Sequence, residues 1–428
     1  MRMISSKGLD KGFYEYKMIE DLSTVRELMT DIRLHGDDAI RRATKRFDNV
    51  DISDLRVSPN DIKDAYGHVD EAFTSSLKKA AENIRKFAKR QLDQFKDFEL
   101  EVSPGVVAGQ KVAPIRRIGI YVPGGRFPLV SSLLMCAVPA KVAGVKEIAV
   151  CSPPLHNDTI YPTILVAADL LGVNEIFKVG GVQAIAAMAF GTETLSKVDK
   201  IVGPGNRFVA MAKREAYGRV GIDLVAGPTE VMIIADDSAK PETVAADLLA
   251  QAEHDPDAVP ILITTSRVLA DRMNATVDLQ LADLKTKSIA GASIAKNGLI
   301  IIADGVEEAI EIANKRAPEH LVLHVSGAEG FASKCKNYGS LFIGDYSTEA
   351  LGDYSSGLNH TLPTNTSARY TGGLSVKDFL RLQTTLRVNE KGFADIGPVA
   401  KVLADAEGLD GHARSVQIRM DKMKQRKR

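Results

Sequence analysis

Short apolar runs alternate with longer segments of mixed polarity from about residue 117 onward. The run at 117–122 is typical of a buried strand, and the segment 131–144 follows it with helical character, opening at Ser131 or Ser132 as a possible N-cap. Strands are predicted likewise at 147–152, 175–180 and 200–203, with helix-like segments between them. Short apolar strands separated by helices of about ten residues are typical of βαβ units with a parallel sheet.

A second series of the same kind follows. Helices are predicted over 240–254, with Pro241 in the first turn, and over 267–283. The chain before about residue 98 has a largely helical pattern, and the pattern after about residue 374 is weaker. The strands of this second series are predicted at 221–227, 230–236, 259–265, 297–304 and 320–325. We therefore predict an α/β fold with two Rossmann-like parallel-sheet domains and small helical N- and C-terminal appendages.

Composition narrows the class of protein. The 428 residues include 55 basic and 55 acidic side chains, which gives no electrostatic reason to expect nucleic acid or an anionic membrane as a partner. The basic run at 78–90 has apolar residues at helical spacing and is interpreted as a solvated helix face. No stretch approaches the ~20 apolar residues of a membrane span, and the first residues lack the apolar core of a signal peptide. Three cysteines without a CxxC pair favour free thiols in a reducing cytoplasm.

Glycine-containing turns follow two of the predicted strands. Gly124 and Gly125 come after the first strand, and the sequence Gly-Pro-Gly-Asn-Arg-Phe occupies 203–208. Phe208 stands where a dinucleotide-binding GxGxxG motif has its third glycine, so the standard fingerprint is absent. Ligands of open α/β sheets bind at the carboxyl ends of the strands, where we expect the site. An ordinary strand-to-helix turn explains Gly124 and Gly125 equally well, and it is the favoured interpretation of 203–208.

Four further segments carry imidazole or carboxylate groups. Gln251 and His254 are three residues apart on one helix face, a spacing that suits two metal ligands. Glu319 precedes His320 at a proline turn, as an acid–base pair would. The loop 352–360 and the segment 407–412 each combine a carboxylate with a histidine. Each segment alone also fits a helix end, a turn or a solvated loop, and together they indicate a metal-assisted α/β enzyme.

These segments, in this order, resemble the histidinol dehydrogenase family. The likeness extends from about Arg117 to His412 and includes the motifs YVPGG, GGVQAIAAMAFGTE, KIVGPGN, GIDLVAGPTEV, QAEHDPDA, APEHL, GDYSSGLNHTLPT and EGLDGHA. The resemblance implies a homodimer in which the C-terminal segment crosses to complete the partner's site. With it we divide the chain into an N-terminal appendage, a larger domain carrying most of the site, a second Rossmann-like domain and a C-terminal appendage, at 1–16, 17–123 with 229–374, 124–228 and 375–428 respectively.

The resemblance also implies roles for individual residues. Glu319 and His320 match the catalytic pair, in which His320 is the base toward the alcohol and Glu319 activates water. One zinc ion per chain would have the ligands Gln251, His254, Asp353 and His412. Substrate contacts would come from Thr229, His360 and Glu407 together with His320 and the four metal ligands. Contacts to NAD⁺ would come from Tyr121, Gln183 and Asn206.

The implied reaction is the oxidation of L-histidinol through L-histidinal to L-histidine with two NAD⁺, the last steps of histidine biosynthesis. Arg126 leaves an alternative open, because the family's loop more usually has small or neutral residues at this point. A guanidinium there could bind an anion, such as the sulfonate of 2,3-dihydroxypropane-1-sulfonate, the substrate of a paralogue. Two further alternatives are a nucleotide-binding protein without redox chemistry and a metallohydrolase that turns over without NAD⁺.

Overall fold

The computed structural model describes residues 1–15, 23–125, 127–156 and 158–426. In these ranges the strands are β1 (Arg2–Ser5), β2 (Phe98–Ser103), β3 (Val106–Pro114), β4 (Arg117–Tyr121), β5 (Glu147–Ser152), β6 (Glu175–Lys178), β7 (Lys200–Val202), β8 (Gly221–Ile222), β9 (Glu230–Ala235), β10 (Val259–Thr264), β11 (Leu299–Ile302), β12 (His320–His324), β13 (Ser340–Ile343) and β14 (Leu380–Val388).

The helices connect these strands and flank the sheets. They are α1 (Ser23–Phe47), α2 (Pro59–Ala65), α3 (Glu71–Leu92), α4 (Val130–Ala143), α5 (Pro162–Leu170), α6 (Gly181–Phe190), α7 (Arg207–Ala216), α8 (Pro241–Ala252), α9 (Arg267–Asp283), α10 (Lys287–Asn297), α11 (Val306–Arg316), α12 (Ala328–Ala332), α13 (Glu349–Tyr354), α14 (Glu390–Ala406) and α15 (Asp410–Arg426). Short 3₁₀ helices occupy Ser6–Gly8, Lys11–Tyr14, Tyr66–His68, Ser367–Arg369 and Val376–Phe379.

Two parallel sheets form the two halves of the fold, which confirms the predicted fold class. The five-stranded sheet has the order β6-β5-β4-β7-β8, and the six-stranded sheet has the order β1-β11-β10-β9-β12-β13. Apolar layers cover both faces of each sheet. Strand β9 is buried at all six positions, which explains why residues 231–235 form a continuous apolar run rather than an alternating one.

The sheets divide the chain differently from the predicted domains. Strand β4, placed by prediction with the larger domain, lies at the centre of the five-stranded sheet, where it pairs with β5 and β7. Helix α1 packs on α6, and α3 packs on α4, so most of residues 23–121 belong to this half. Strand β1, from the predicted N-terminal appendage, pairs with β11 at the edge of the other sheet. Burial on both faces makes a central position the favourable one for β4.

A third, antiparallel sheet was not predicted. It has the order β14-β3-β2 and joins the C-terminal part of the chain to residues before the first parallel sheet. Helices α14 and α15 follow it and pack on each other. Among the helices of the described ranges, none is long and apolar enough to cross a membrane.

Candidate active site

A cleft of about 1500 Å³ is lined by residues from both parallel sheets. On the five-stranded side, the lining residues Gly124, Gly181 and Gly205 follow the strands β4, β6 and β7. On the six-stranded side, Thr229 and Glu319 directly precede β9 and β12. The expectation of a site at carboxyl strand ends is therefore wrong for the six-stranded sheet. The residues that this sheet contributes lie in turns that follow helices and precede strands, so the amino ends of its strands face the cleft.

The helix ends around the cleft give its two sides opposite polarity. Helices α6 and α7 begin at Gly181 and Arg207 on the five-stranded side, and both residues line the cleft. Helix α8 ends there with Gln251 and Ala252 on the other side, and His254 follows. Helix N-termini favour anions and C-termini favour cations, so one side suits phosphate and the other suits a metal ion.

His254 and Asp353 form the core of a candidate metal site. The Nε2 atom of His254 lies 4.0 Å from Oδ2 of Asp353. With Glu349, one ligand atom from each of the three residues lies within 4.8 Å of the others. Ligands that each lie ~2.1 Å from one zinc ion have separations of roughly 3–4 Å, so the spacing fits. Asp353 lies on helix α13 and not in the predicted loop.

The protonation of these two side chains also suits a metal ion. Burial lowers the pKa of His254, which leaves a neutral imidazole with a free lone pair. Burial raises the pKa of Asp353, but the nearby imidazoles of His320, His360 and His254 outweigh it and lower that pKa. The site therefore offers a neutral nitrogen and an ionised oxygen, the ligand types that zinc takes up.

Gln251 is fully buried beside this pair. With the amide nitrogen turned toward the carboxylate, it lies 3.0 Å from Oε1 of Glu349, and the amide oxygen lies 2.8 Å from the Thr229 hydroxyl. We adopt this orientation because the opposite one would place an amide oxygen against a carboxylate. Gln251 thus lies next to the three-residue cluster, as a fourth polar group.

Glu319 is held by the residues just before and at the start of β9. Its Oε2 atom accepts a hydrogen bond from the backbone nitrogen of Glu230 at 2.9 Å and lies 2.5 Å from Thr229 Oγ1. Burial raises the pKa of Glu319 to about 7, although the charge of His320 and these hydrogen bonds act in the opposite direction. A carboxyl that titrates near neutrality can both take up and release a proton.

His320, the first residue of β12, lies among three carboxylates. Its Nδ1 atom is 3.2 Å from the backbone oxygen of Glu230, 3.8 Å from Oε2 of Glu319 and 3.9 Å from Oε1 of Glu349. Burial lowers the pKa of His320, but Glu349 and Glu319 outweigh burial and raise it to about 10. Its Nε2 atom is buried without a hydrogen-bond partner in the described ranges and lies 3.7 Å from Asp353. Such an unpaired buried atom is suited to a substrate group.

His360 joins the two halves of the cleft. Its Nδ1 atom lies 3.1 Å from the backbone oxygen of Asp353, and Nε2 lies 3.3 Å from Oγ of Ser132. Burial lowers the pKa of His360, so the neutral ring donates from Nδ1 and accepts from Ser132. The predicted cap at Ser131 or Ser132 is wrong: helix α4 begins at Val130, after Leu129.

The three residues assigned to the nucleotide all line the five-stranded side of this cleft. The Tyr121 hydroxyl accepts a hydrogen bond from the Gly181 nitrogen at 3.2 Å, and Asn206 caps helix α7 through Oδ1. Gln183 is buried and donates to Asp48 at 3.3 Å. Gly203 has φ +115°, and a Cβ there would lie 2.2 Å from the Tyr121 backbone oxygen, so this turn requires glycine.

Two of the assigned residues lie elsewhere in the single chain. Glu407 and His412 are exposed, at the end of α14 and in α15, and neither is among the residues that line the cleft. Arg126, on which the alternative substrate depends, lies outside the described residues. One chain therefore brings together Gln251, His254 and Asp353 with Glu319 and His320, without the two C-terminal residues.

Sequence reasoning missed Glu349, a buried carboxylate in direct reach of this cluster. Its position four residues before Asp353 on helix α13 puts both side chains on one helix face. That spacing was available in the sequence, but Asp353 was placed in the loop 352–360 and no helix was predicted over 349–353. No local sequence pattern indicated Ser132 or Asp48. Their partners, His360 and Gln183, are far away in the sequence.

Comparisons with known proteins agree with one another. The sequence model of the family described as "Histidinol dehydrogenase" matches residues 15–420. The chain is 44% identical over 400 residues to a histidinol dehydrogenase of Clostridium acetobutylicum and 45% identical over 401 residues to one of Methanocaldococcus jannaschii, covering 94% of this chain and 92% and 93% of those proteins. A crystal structure of histidinol dehydrogenase from Elizabethkingia anophelis superposes with a TM-score of 0.93 at 41% identity, covering 99% of both chains. The chain therefore belongs to the histidinol dehydrogenase family of oxidoreductases.

Proposed function

We propose that this protein oxidises L-histidinol through L-histidinal to L-histidine, using two NAD⁺ and one zinc ion per chain. The observation that carries the proposal is the convergence of Glu319 and His320 with His254 and Asp353 in one cleft. An acid–base pair beside metal-ligand groups, opposite a phosphate-favouring wall, fits metal-assisted hydride transfer to a nucleotide. The family relationship supports histidinol as the alcohol.

The zinc ligands in this proposal are Gln251, His254 and Asp353, completed by His412 of a second copy. Gln251 would turn its amide on binding, so that its oxygen faces the ion and its nitrogen donates to the Thr229 hydroxyl 2.8 Å away. When bound, the ion would fix the substrate through its imidazole and amine nitrogens and would add positive charge that lowers the pKa of His320 toward that of a base. The C-terminal end of helix α8 favours a cation at this place. Glu349 would remain outside the ligand set and neutralise charge beside His320.

His320 would remove the proton of the alcohol in the first step. Its Nδ1 atom is anchored at the Glu230 backbone oxygen, which leaves the unpartnered Nε2 atom for the substrate hydroxyl. NAD⁺, when bound, would accept the hydride of the alcohol carbon. Glu319 would take a proton from water as the water adds to the aldehyde, because its pKa near 7 lets it act as a base at neutral pH. The second hydride transfer yields the carboxylate.

Thr229, His360 and the Glu407 of a second copy would orient the substrate. Thr229 already contacts Glu319, and His360 is fixed as a neutral ring by Ser132, so both positions are preorganised. Tyr121, Gln183 and Asn206 would hold the nucleotide along the five-stranded side, with the helix N-termini next to its pyrophosphate.

The position of the C-terminal residues supports a homodimer. The antiparallel sheet exposes an apolar face on which Leu100 and Leu386 both lie opposite Ala108, with Phe98 and Leu382 on the same face. An exposed apolar face of this kind marks an interaction surface. A second copy covering it would bring α15 of one chain toward the cleft of the other. The three free cysteines are consistent with a cytoplasmic location, which we propose with it.

The shared site is tested by mixing two inactive variants, His320→Ala and His412→Ala. A mixed dimer contains one site with both histidines and one site with neither. Equal mixing gives half mixed dimers, so about a quarter of wild-type activity should return. No recovery after verified subunit exchange would contradict the sharing of sites, and full activity of His412→Ala alone would contradict its role.

The substrate is tested with the zinc-loaded protein, L-histidinol and 2,3-dihydroxypropane-1-sulfonate in parallel. The proposal predicts efficient NAD⁺ reduction with histidinol and little with the sulfonate, and Arg126→Ala should leave the histidinol KM unchanged. Preference for the sulfonate, lost in Arg126→Ala, would establish the paralogous reaction instead. Turnover without NAD⁺ would indicate a metallohydrolase, and a folded chain without metal or turnover would indicate a binding protein.

A further inference from the structure

Asp48 is a cleft residue to which neither the motifs nor the proposed chemistry assigns a role. It follows the last residue of helix α1 and lines the wall that α1 and α6 form on the five-stranded side. Its Oδ2 atom accepts a hydrogen bond from Nε2 of Gln183 at 3.3 Å, which is its partner within the described ranges. The second carboxylate oxygen remains available to a ligand.

The surroundings of Asp48 combine this polar group with an apolar wall. Val25, Leu28 and the half-exposed Phe47 line the cleft as well, and the Arg46 guanidinium lies over one face of the Phe47 ring, 5.0 Å from its centre. A partly exposed aromatic ring can stack on a flat base. Burial raises the pKa of Asp48 to about 6, so the folded chain keeps this carboxylate at a cost in stability. Retention of a destabilising group in a cleft is typical of a binding residue.

We propose that Asp48 binds the adenosine ribose of NAD⁺ through its hydroxyl pair, next to an adenine that packs on Phe47, and thereby selects NAD⁺ over NADP⁺. This inference rests on the proposed nucleotide-dependent function. A carboxylate accepts hydrogen bonds from two neighbouring hydroxyls, and it repels the 2′-phosphate of NADP⁺. The chain thus obtains the acidic ribose contact of a standard dinucleotide site from the end of α1, although it lacks the glycine fingerprint.

The position of Asp48 assigns it to the adenosine half of the nucleotide. The nicotinamide must reach the substrate beside His320, which belongs to the six-stranded sheet. Asp48 belongs to the helices on the other half of the fold, and the turns at Gly124 and Gly205 line the cleft as well. If the nicotinamide lies at His320 and the pyrophosphate lies at those turns, the adenosine lies against the wall that α1 forms.

The test is calorimetric binding of ADP-ribose and of its 2′-phosphate to the zinc-loaded protein, without turnover. Wild type should bind ADP-ribose at least ten times more tightly than the 2′-phosphate. Asp48→Asn should weaken ADP-ribose binding by roughly 10- to 100-fold, the effect of losing a hydrogen bond to a charged group, and should reduce or reverse the preference. Phe47→Ala should weaken both ligands equally and leave the preference unchanged.

The matched control is Asp51→Asn, because Asp51 is near in sequence but fully exposed and paired with Lys45. It should bind both ligands as wild type does, and circular dichroism should show all variants folded. An unchanged ligand preference in folded Asp48→Asn would overturn this inference alone, since wild-type ADP-ribose binding would still support the proposed cofactor. Failure of wild type to bind either ligand would overturn both proposals.

Discussion

The ion pair between Arg316 and Glu230 lies next to the proposed catalytic pair, and its removal should lower the free energy of unfolding. Arg316 donates to Oε2 of Glu230 from Nη2 at 2.6 Å and from Nε at 3.1 Å, with both side chains at most 7% exposed. The other carboxylate oxygen accepts from the Asn365 nitrogen. The backbone of Glu230 in turn holds Glu319 and His320. Damage to this pair should therefore reach both stability and activity.

Arg316→Met should lower the free energy of unfolding by about 3–5 kcal/mol, because it leaves a buried carboxylate without its cation. Arg316 also donates to the Phe13 backbone oxygen, and loss of that bond adds to the effect. The melting temperature measured by calorimetry should fall by roughly 3–6 °C, because the entropy of unfolding is ~2.1 cal/mol/K per residue over 428 residues. The rate of histidinol oxidation should fall as well, with zinc content retained, since Arg316 contacts neither metal ligand nor cleft.

Two control variants distinguish the effect of an uncompensated buried charge on stability from the effect of losing any arginine. Arg272→Met removes an exposed pair with Glu242 and should change stability by less than about 1 kcal/mol. Adding Glu230→Gln to Arg316→Met removes the uncompensated charge and should recover more than half of the lost stability. A melting temperature of Arg316→Met equal to that of Arg272→Met, or a double variant no more stable than the single one, would refute the reasoning.

Three further predictions concern the cleft itself. His254→Ala should lose zinc by elemental analysis while Glu349→Gln keeps it; loss from Glu349→Gln with retention in Gln251→Ala would show that Glu349 is the ligand instead. His320→Gln should keep zinc but slow the first oxidation by roughly 10²–10⁴-fold in single-turnover assays, and an unchanged rate would reject its role as base. Burial raises the pKa of Asp48 to about 6, so its charge destabilises the folded state above that pH. Asp48→Asn should therefore raise the melting temperature at pH 8, and this gain should vanish as the pH falls from 6 to 4. A gain that persists at pH 4 would contradict burial of the charge as its cause.

Much of the parallel architecture could be predicted because its strands are buried on both faces. The composition of a run such as that in Glu230–Ala235 is then enough to predict a strand. The helices between such runs have ordinary lengths. His254 and His320, which both line the cleft, could be selected from the sequence because each lies in a motif of several consecutive residues that resembles a family. Neither inference required contacts between distant parts of the chain.

The remaining features depend on long-range pairing, which local patterns do not encode. Strand β2 alternates Phe98, Leu100 and Val102 with polar residues, which indicates a strand, but this local pattern does not tell that β3 is its partner. The sheet that contains β4 is likewise set by pairing and not by its own sequence. The same holds for Glu349 and Asp48, which meet the site through the packing of α13 and α1.

The most direct test of the proposed reaction is the number of NADH molecules formed per histidinol. The zinc-loaded protein is given limiting L-histidinol and excess NAD⁺, and NADH and histidine are both quantified at completion. The account predicts two NADH and one histidine for each histidinol, because Glu319 and His320 serve consecutive oxidations in one site. One NADH with accumulating aldehyde, or no turnover by a folded, zinc-bearing protein, would contradict it.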